Sequence, residues 1–203
     1  VSTGLAPPEP KRYQGVMLNY IEYGTQTDLP DLLIVHGLYG SGRNLGAVAK
    51  RMAGDRRVIS VDQRNHGQSP WYDTHNYTEM ARDLAEVIET LGPSVDVVGH
   101  SMGGKAAMVL ALTRPELVKR LLIADIAPVT YSHDQTQHIQ SMRDVDLARV
   151  DTRSDAMKQL SETVTDPTLQ SFFTQSLDLT NKRWRLNLDV LEAEMPNILG
   201  FPT

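Results

Sequence analysis

The amino-acid sequence predicts an α/β fold, in which helices cover both faces of a mostly parallel sheet. Apolar segments typical of strands lie at 16–23, 32–35, 57–61, 95–98 and 121–124, the first as a strand or a hairpin arm. Helical patterns at 45–52, 77–91 and 104–113 separate most of these strands. Strands joined through helices need crossover connections, which make neighbouring strands parallel and cover both faces of the sheet.

Each element follows from local composition and period. The run 32–35 is wholly apolar, as expected of a buried strand. The segment 77–91 predicts an amphipathic helix, because its apolar residues recur at helical spacing: Met80, Leu84, Val87, Ile88 and Leu91. Ligands of parallel sheets gather at the carboxyl ends of the strands. The segments that begin at His36, Asp62 and Gly99 follow predicted strands and are therefore candidates for a functional site.

The chain is predicted to have three parts. Residues 1–12 are rich in proline and are expected to form a flexible lead-in outside the fold. Residues 13–128 hold all the predicted strands and form the sheet core. Residues 129–203 are polar and helix-like, and we expect a cap that returns to the core.

The predicted cap has one clear helix start, at Asp166 and Pro167, which resemble an N-cap followed by a first-turn proline. Phe172, Phe173 and Leu177 are predicted to share one face of this helix. Two placements stay open for the segment. It is either a lid over the strand ends, which would exclude water and shape an acyl pocket, or a helical tail packed elsewhere.

Composition excludes several function classes. With 203 residues, 40% of them hydrophobic, the chain suits one domain with or without an insertion. A net charge of -5, with acids and bases mixed, gives no basic stripe for nucleic acid or an anionic membrane. No apolar run reaches the ~20 residues of a membrane span, and no signal peptide is predicted. The lack of cysteine excludes thiol chemistry and predicts a reducing compartment, the cytoplasm or alternatively the mitochondrial matrix.

Ser101 is the candidate nucleophile. It is the serine of a Gly-x-Ser-x-Gly pattern between a predicted strand and a predicted helix. The turn is so tight that the serine must project out of the sheet, while Gly99 and Gly103 let the turn close. The alternative is a serine in an ordinary glycine-rich turn.

Two backbone N–H groups are candidates for stabilising an oxyanion. The N–H of Met102 directly follows the serine at the start of a helix. The N–H of Leu38 lies in the loop after strand 32–35 and is the second candidate. This loop could instead be a glycine-rich connection that merely needs positive φ angles.

Four motifs carry a family resemblance. They begin at His36, Asp62, Gly99 and Asp125 and read HGLYGS, DQRNHGQS, GHSMGGK and DIAPV. In this order and spacing they resemble the α/β-hydrolase superfamily, and within it a group of small serine esterases. The resemblance covers residues 16–202.

The resemblance implies the α/β-hydrolase fold, with a helical cap after the family's sixth strand. It implies a serine hydrolase that acts on a small-molecule carboxylic ester or thioester without a cofactor or metal. Ser101 is then the nucleophile, and Asp125, at the end of strand 121–124, is the acid of a catalytic triad. Asp125 could instead be a buried carboxylate that holds loop amides. Five further motif residues are expected to support the site: His36, Gly37, Gly99, His100 and Gly103.

The base of the triad is the point at which this chain departs from the family pattern. The family places its histidine after the eighth strand, whereas the last histidine here is His138. We therefore expect the base, and the last two strand–helix units, to lie C-terminal to these 203 residues. A chain without those units would expose a sheet edge and tend to associate, but its oligomeric state is not predicted. The histidines present are not expected to replace the base: His36, His66, His75, His100, His133 and His138.

Two other functions stay open. The chain could be a non-catalytic ligand-binding or partner protein, since a fold alone does not fix function. It could also be a lyase or a carbon–carbon bond hydrolase with the same triad. Arg64, Asn65 and His66 are predicted to brace their loop, with substrate contact as the alternative, and Lys105 is predicted to be a surface charge.

Overall fold

Five strands form a single twisted sheet in the computed structural model, which describes residues 17–132 and 135–202. The predicted lead-in at 1–12, Val16 and His133 lie outside the described residues. The elements in chain order are β1 (Tyr20–Tyr23), β2 (Leu32–Val35), α1 (Gly46–Met52), β3 (Val58–Val61), α2 (Tyr77–Leu91), β4 (Val95–His100), α3 (Met102–Thr113), β5 (Val118–Ala124), α4 (Thr136–Arg143), α5 (Arg153–Leu160), α6 (Pro167–Thr174), β6 (Leu177–Asp178), β7 (Arg183–Trp184), α7 (Leu188–Ala193) and α8 (Met195–Leu199).

The main sheet has the order β1-β3-β2-β4-β5 and is mostly parallel, which confirms the predicted fold class. Only β1 runs antiparallel to its neighbour β3. In the central register Val35 pairs with both Val61 and Gly99, so β2, β3 and β4 end at the same level. The loops that begin at His36 and Asp62 and the turn at Ser101 therefore meet at one edge, as expected of parallel strands.

Helices on both faces bury the sheet. The amphipathic helix α2 has the predicted bounds and begins at Asn76, whose side chain accepts a hydrogen bond from Glu79 N at 3.0 Å. Helix α3 packs between α2 and the sheet and is buried on almost every side, because its sequence is apolar all round. Its first residue is Met102, two residues earlier than the helical pattern predicts.

The cap, residues 129–202, folds back over the carboxyl ends of the strands. Ser176 Oγ donates to Tyr39 O at 2.9 Å, and Asn187 N donates to Asn65 O at 3.0 Å. Tyr77 in α2 donates its hydroxyl to Ile198 O at 2.5 Å. These contacts with loops of the core favour the lid over a tail packed elsewhere.

The cap has one helix that starts as predicted and one hairpin that the sequence does not predict. Asp166 caps α6 by accepting from Thr168 N at 2.8 Å, with Pro167 in the first turn. Strands β6 and β7 form a two-stranded antiparallel hairpin, so the cap is not wholly helical. The placement of Leu177 on the face of a helix is wrong, because Leu177 is the first residue of β6.

Strand β5 is the outer strand of the sheet on the side away from β1. Much of β5 is exposed, including two leucines, Leu121 at 38% and Leu122 at 55%. Among helices of the described residues, none combines the length and the hydropathy that a membrane crossing requires.

Candidate active site

Ser101 lies at the junction of β4 and α3 in a backbone conformation that residues other than glycine rarely adopt. Its φ is 51° and its ψ is -125°. The position is held from both sides, because Ser101 N donates to Ala124 O at 3.0 Å and Ser101 O accepts from Gly104 N at 2.7 Å. Strained backbone of this kind persists only where neighbouring structure fixes it, and it is frequent at functional sites.

The glycines on either side of Ser101 are required by close backbone contacts. A Cβ on Gly99 would lie 2.6 Å from Gly103 O, inside the turn itself. A Cβ on Gly103 would overlap the carbonyl oxygen of His36. The turn and the loop after β2 are therefore pressed against each other, and both glycines do what the elbow pattern requires.

The loop after β2 lies against the serine. A Cβ on Gly37 would be 3.1 Å from the Cβ of Ser101, so no bulk separates the two. Leu38 follows at once, and Leu38, Ser101 and Met102 all line the same cavity. In the part of the chain that the structure describes, the N–H groups of Leu38 and Met102 have no hydrogen-bond acceptor. Two unpaired donors beside a serine are the arrangement that an oxyanion needs.

His36 braces this loop and is neutral. Its Nε2 accepts from Gln63 N at 3.0 Å, so the proton is on Nδ1, which donates to Gly37 O at 2.7 Å. Gln63 returns a second bond from its side-chain Nε2 to His36 O at 2.6 Å. Complete burial lowers the pKa of His36 to about 4. His36 therefore fixes the loop instead of exchanging protons with a substrate.

His66 and His75 continue this bracing, and with His36 they form a buried histidine row. His66 Nε2 accepts from Tyr39 N at 3.2 Å and its Nδ1 donates to Arg64 O at 2.9 Å. His75 Nε2 points at the sulfur of Met102 at 3.4 Å. Burial lowers the pKa of His66 to about 3 and that of His75 well below its usual value.

Arg64 ties the loop after β3 to helix α2. Its guanidinium binds both oxygens of Asp83, at 2.6 and 2.9 Å, and Glu79 at 2.5 Å. Neither Arg64 nor its neighbours Asn65 and His66 line the cavity at Ser101. The geometry favours the bracing role over substrate contact for all three residues.

Asp125 is not buried, so its alternative as a buried carboxylate is wrong. The residue follows β5 with a φ of 56°, and its side chain is 89% exposed. Its Oδ2 is 4.0 Å from His100 Nε2, which is longer than a hydrogen bond. Asp125 thus lies at the level of Ser101, one strand away, and faces open space.

A cavity of about 660 Å³ opens at Ser101 between the core and the cap. The cap contributes the apolar side chains of Leu169, Phe172 and Phe173 from α6, together with polar residues of the same helix such as Thr168 and Ser171. The core contributes Leu38 and Met102 beside the serine. A concave space with a largely apolar lining and a few polar groups is typical of a small-molecule site. Within residues 17–132 and 135–202, no cluster of acidic residues and histidines could hold a metal ion.

Lys105 is a part of this site that sequence reasoning placed wrongly. The prediction of a surface charge fails, because Lys105 is only 1% exposed and its side chain points into the fold beside the cavity. Its position one turn after Ser101, in the apolar first two turns of α3, was the available signal, since a helix that is apolar all round is usually buried.

Comparison with known proteins places the chain among related sequences. A family profile described as "alpha/beta hydrolase fold" matches residues 30–199. The mouse protein named "sn-1-specific diacylglycerol lipase ABHD11" is 40% identical over 197 residues, which cover 91% of this chain and 64% of the mouse protein. "Esterase YbfF" of Escherichia coli is 34% identical over 174 residues, covering 84% of this chain and 67% of that protein.

A solved structure gives the same result in three dimensions. The structure titled "Marine microorganism esterase" superposes with a TM-score of 0.86 at 34% identity, covering 93% of this chain and 76% of the other. The present chain spans about 64% of the length of the mouse relative.

Proposed function

The chain belongs to the alpha/beta hydrolase family, and on this premise we propose that it is a serine hydrolase of carboxylic esters or thioesters. The observation that carries the proposal is Ser101, held at positive φ beside two unpaired backbone N–H groups and open to an apolar cavity. A serine in an ordinary glycine-rich turn needs neither the cavity nor the donors.

The proposed reaction is acyl transfer in two steps. Ser101 Oγ attacks the carbonyl carbon while a base takes its proton, and the N–H groups of Leu38 and Met102 bind the oxyanion that forms. Collapse of this intermediate breaks the bond to the alcohol or thiol, which leaves with the proton. Water then attacks the acyl-enzyme by the same route and releases the acid, so that Ser101 is restored.

The base and the acid complete the proposal. His36, His66 and His75 have both ring nitrogens engaged within the core, so they are not the base. We assign the base to a histidine C-terminal to residue 203, and Asp125 to the acid that orients it. The position of Asp125 directly after β5, level with Ser101 on the neighbouring strand β4, supports this role.

The substrate class follows from the cavity. Apolar side chains from α6 and the core suit a fatty acyl chain, and a volume of about 660 Å³ accommodates one of moderate length. The relatives named as a diacylglycerol lipase and an esterase agree with an acyl ester. The proposal for this chain is at the level of carboxylic esters and thioesters.

Labelling with a fluorophosphonate tests the nucleophile. The full-length protein should become covalently modified, and Ser101→Ala should abolish the modification. Ser161→Ala, which removes an exposed hydroxyl of the cap, is the matched control and should be labelled like the wild type. Labelling of the Ser101→Ala variant at the wild-type rate would overturn the assignment.

A panel of p-nitrophenyl esters and acyl-coenzyme A thioesters tests the substrate class. We expect turnover at least ~10³-fold above that of Ser101→Ala for one chain length, since the triad supplies several orders of magnitude beyond the oxyanion donors. A protein that binds acyl ligands but cleaves none of these compounds would be a binding protein on a hydrolase fold.

A further inference from the structure

A cation without a carboxylate partner lies at the point where the cap meets the core. Lys105 is 1% exposed, and in the described residues it forms no ion pair. Burial lowers the pKa of its ammonium. A buried charge is costly unless it is well coordinated. A lysine kept here therefore has a task that an apolar side chain would not perform.

Three backbone carbonyls coordinate the ammonium. Nζ donates to Val129 O at 2.8 Å, to Leu199 O at 2.8 Å and to Gly200 O at 2.5 Å. All three donor hydrogens of the ammonium are thus used. One acceptor lies where the cap begins and two lie where it returns, so a single side chain joins both ends of the cap to α3.

Aromatic rings complete the surroundings of the cation. The ring of Tyr131 lies 4.9 Å from Nζ and that of Tyr77 lies 5.7 Å away, within the range of cation–π attraction. The two ends of the cap also bind each other, since Tyr131 N donates to Leu199 O at 3.0 Å. The residues that surround the ammonium are therefore also the residues that join the cap to the core.

The same residues form one part of the wall of the proposed acyl cavity. Tyr77, Lys105, Tyr131 and Leu199 line it, whereas the wall from α6 is formed by other residues of the cap. The wall from α6 rests on helix packing. The wall at the junction is built from two chain segments that are remote in sequence. Three bonds of the Lys105 ammonium hold both segments, in addition to the bonds from Tyr131 N to Leu199 O and from the Tyr77 hydroxyl to Ile198 O.

We propose that Lys105 is a positioning residue: its ammonium fixes the junction wall of the cavity and so sets the length of acyl chain that the site accepts. The inference rests on the proposed function, because it assigns a specificity role in the same cavity. Lys105 does not touch the reacting atoms, and its effect on the substrate passes through Tyr131 and Leu199.

The test compares Lys105→Met, which removes the charge and shortens the unbranched side chain by one atom, with Lys158→Met on the exposed side of α5. Hydrogen exchange is measured at residues 129–131 and 198–200 of the full-length protein. We expect exchange there to rise about tenfold or more in Lys105→Met and to be unchanged in the control. Equal protection in Lys105→Met and the wild type would overturn the inference.

Specificity is read from binding, without catalysis. Straight-chain carboxylic acids of about four to twelve carbons displace a fluorescent fatty acid, and affinity rises with each buried methylene until the wall is reached. In Lys105→Met we expect the ratio of the affinity for the longest acids to that for the shortest to be about fivefold or more higher than in the wild type. The reason is that the junction wall is no longer fixed and can move to admit a longer chain. An unchanged profile, or no binding of any acid to the wild type, would overturn the inference. Binding of acids by a wild type that hydrolyses no ester would refute only the proposed function.

A chemical rescue distinguishes the effect of losing the ammonium from a general loss of stability. These 203 residues contain no cysteine. Lys105→Cys, in a full-length background in which any cysteine beyond residue 203 is replaced by serine, can therefore be alkylated in urea with 2-bromoethylamine to restore an ammonium at nearly the same distance, and then refolded. The alkylated variant should regain the wild-type exchange and chain-length profile, with wild type treated in the same way as the reference. Should Lys105→Met fail to fold, Tyr77→Phe serves instead, since it removes only the hydroxyl bonded to Ile198 O. In Tyr77→Phe the rate of hydrogen exchange at residues 198–200 should rise about threefold. An unchanged rate there would contradict the inference that side-chain hydrogen bonds to these carbonyl groups fix the junction wall.

Discussion

Single residues decide whether Ser101 can project from the sheet. Gly103 is the clearest case, because its Cα faces the carbonyl oxygens at the end of β2 with no room for a side chain. The left-handed backbone of Ser101 has the same origin, since the strand must become a helix within one residue. The sequence predicts both features, because the glycines and the serine occur together between a strand and a helix.

Gly103→Ala should therefore destabilise the protein and remove serine labelling. The added methyl forces the loop of His36 away from the elbow, and we expect a loss of roughly 3 kcal/mol or more in the free energy of unfolding, at the upper end of overpacking effects. Urea unfolding measures it. Gly54→Ala is the matched control, because its nearest neighbour would be 3.8 Å from the new methyl. The prediction fails if the two variants unfold at the same urea concentration.

The roles of some site residues can be predicted from the sequence, whereas the roles of others depend on contacts that form only in the fold. Ser101, Gly99 and Gly103 stand in a local pattern, and so their geometry was predictable. The task of Lys105 was not, because its partners are carbonyl groups 24 and 94 residues further along the chain. Carbonyl groups are the same in every residue, so no sequence pattern marks them.

At the level of elements, the spacing of apolar residues and the capping residue predict the long helix α2. The same signals do not predict the short strands of the cap. The hairpin of β6 and β7 has two residues in each strand, too few to show an alternation of period two. The spacing of Phe172, Phe173 and Leu177 predicts one helical face, but α6 ends at Thr174 and Leu177 begins β6. The start of α6 was predicted, because Asp166 and Pro167 signal it locally.

Helix α6 gives a prediction that separates stability from binding. Asp166→Ala removes its N-cap and should cost about 1 kcal/mol, lowering Tm by roughly 2–4 °C. Because α6 forms one wall of the cavity, affinity for long-chain acids should fall as well. Calorimetry and fatty-acid displacement measure the two effects.

Thr152→Ala is the matched control for α6. It removes the capping box of α5, a helix that does not line the cavity. We expect a similar loss in Tm with unchanged affinity for the acids. Equal changes in affinity for the two variants would show that α6 forms no specific part of the binding wall.

On the scale of the whole molecule, the histidine row links stability to pH. The row crosses from the loop after β2 to the sulfur of Met102, with ring centres 5.2 and 5.3 Å apart. Each ring is neutral when folded, whereas an unfolded histidine binds a proton near pH 6.5. The unfolded chain therefore binds more protons below pH 6.5, and the stability present above that pH is lost as the pH falls.

The free energy of unfolding should fall between pH 6.5 and pH 5. For His36, whose folded pKa is about 4, the full loss by pH 4 amounts to roughly 3 kcal/mol. Urea midpoints at several pH values measure it, and carboxylates contribute little in this window. His36→Gln should be less stable than the wild type at pH 7. Its free energy of unfolding should also change less steeply with pH, by up to about 1.4 kcal/mol per pH unit less than in the wild type. A variant with the wild-type slope would show that His36 does not titrate on unfolding.

The parallel sheet and the meeting of three loops at one of its edges follow from the alternation of strands and helices along the sequence, whereas the order of the strands does not. The closure of the cap was not predictable, because contacts such as that between Ser176 and Tyr39 join residues 137 apart. Long-range bonds of this kind depend on the assembled fold, whereas each motif depends only on its own segment.

The bond from Tyr131 to Leu199 has a consequence for modularity. About seventy residues separate Tyr131 from Leu199, yet one hydrogen bond joins them, so both ends of the cap lie at the same point beside α3. Evolution or design can exchange the whole excursion for a shorter or differently shaped one without altering the register of any core strand. The cap wall of the cavity can then be reshaped while Ser101 and the strands that hold it stay in place.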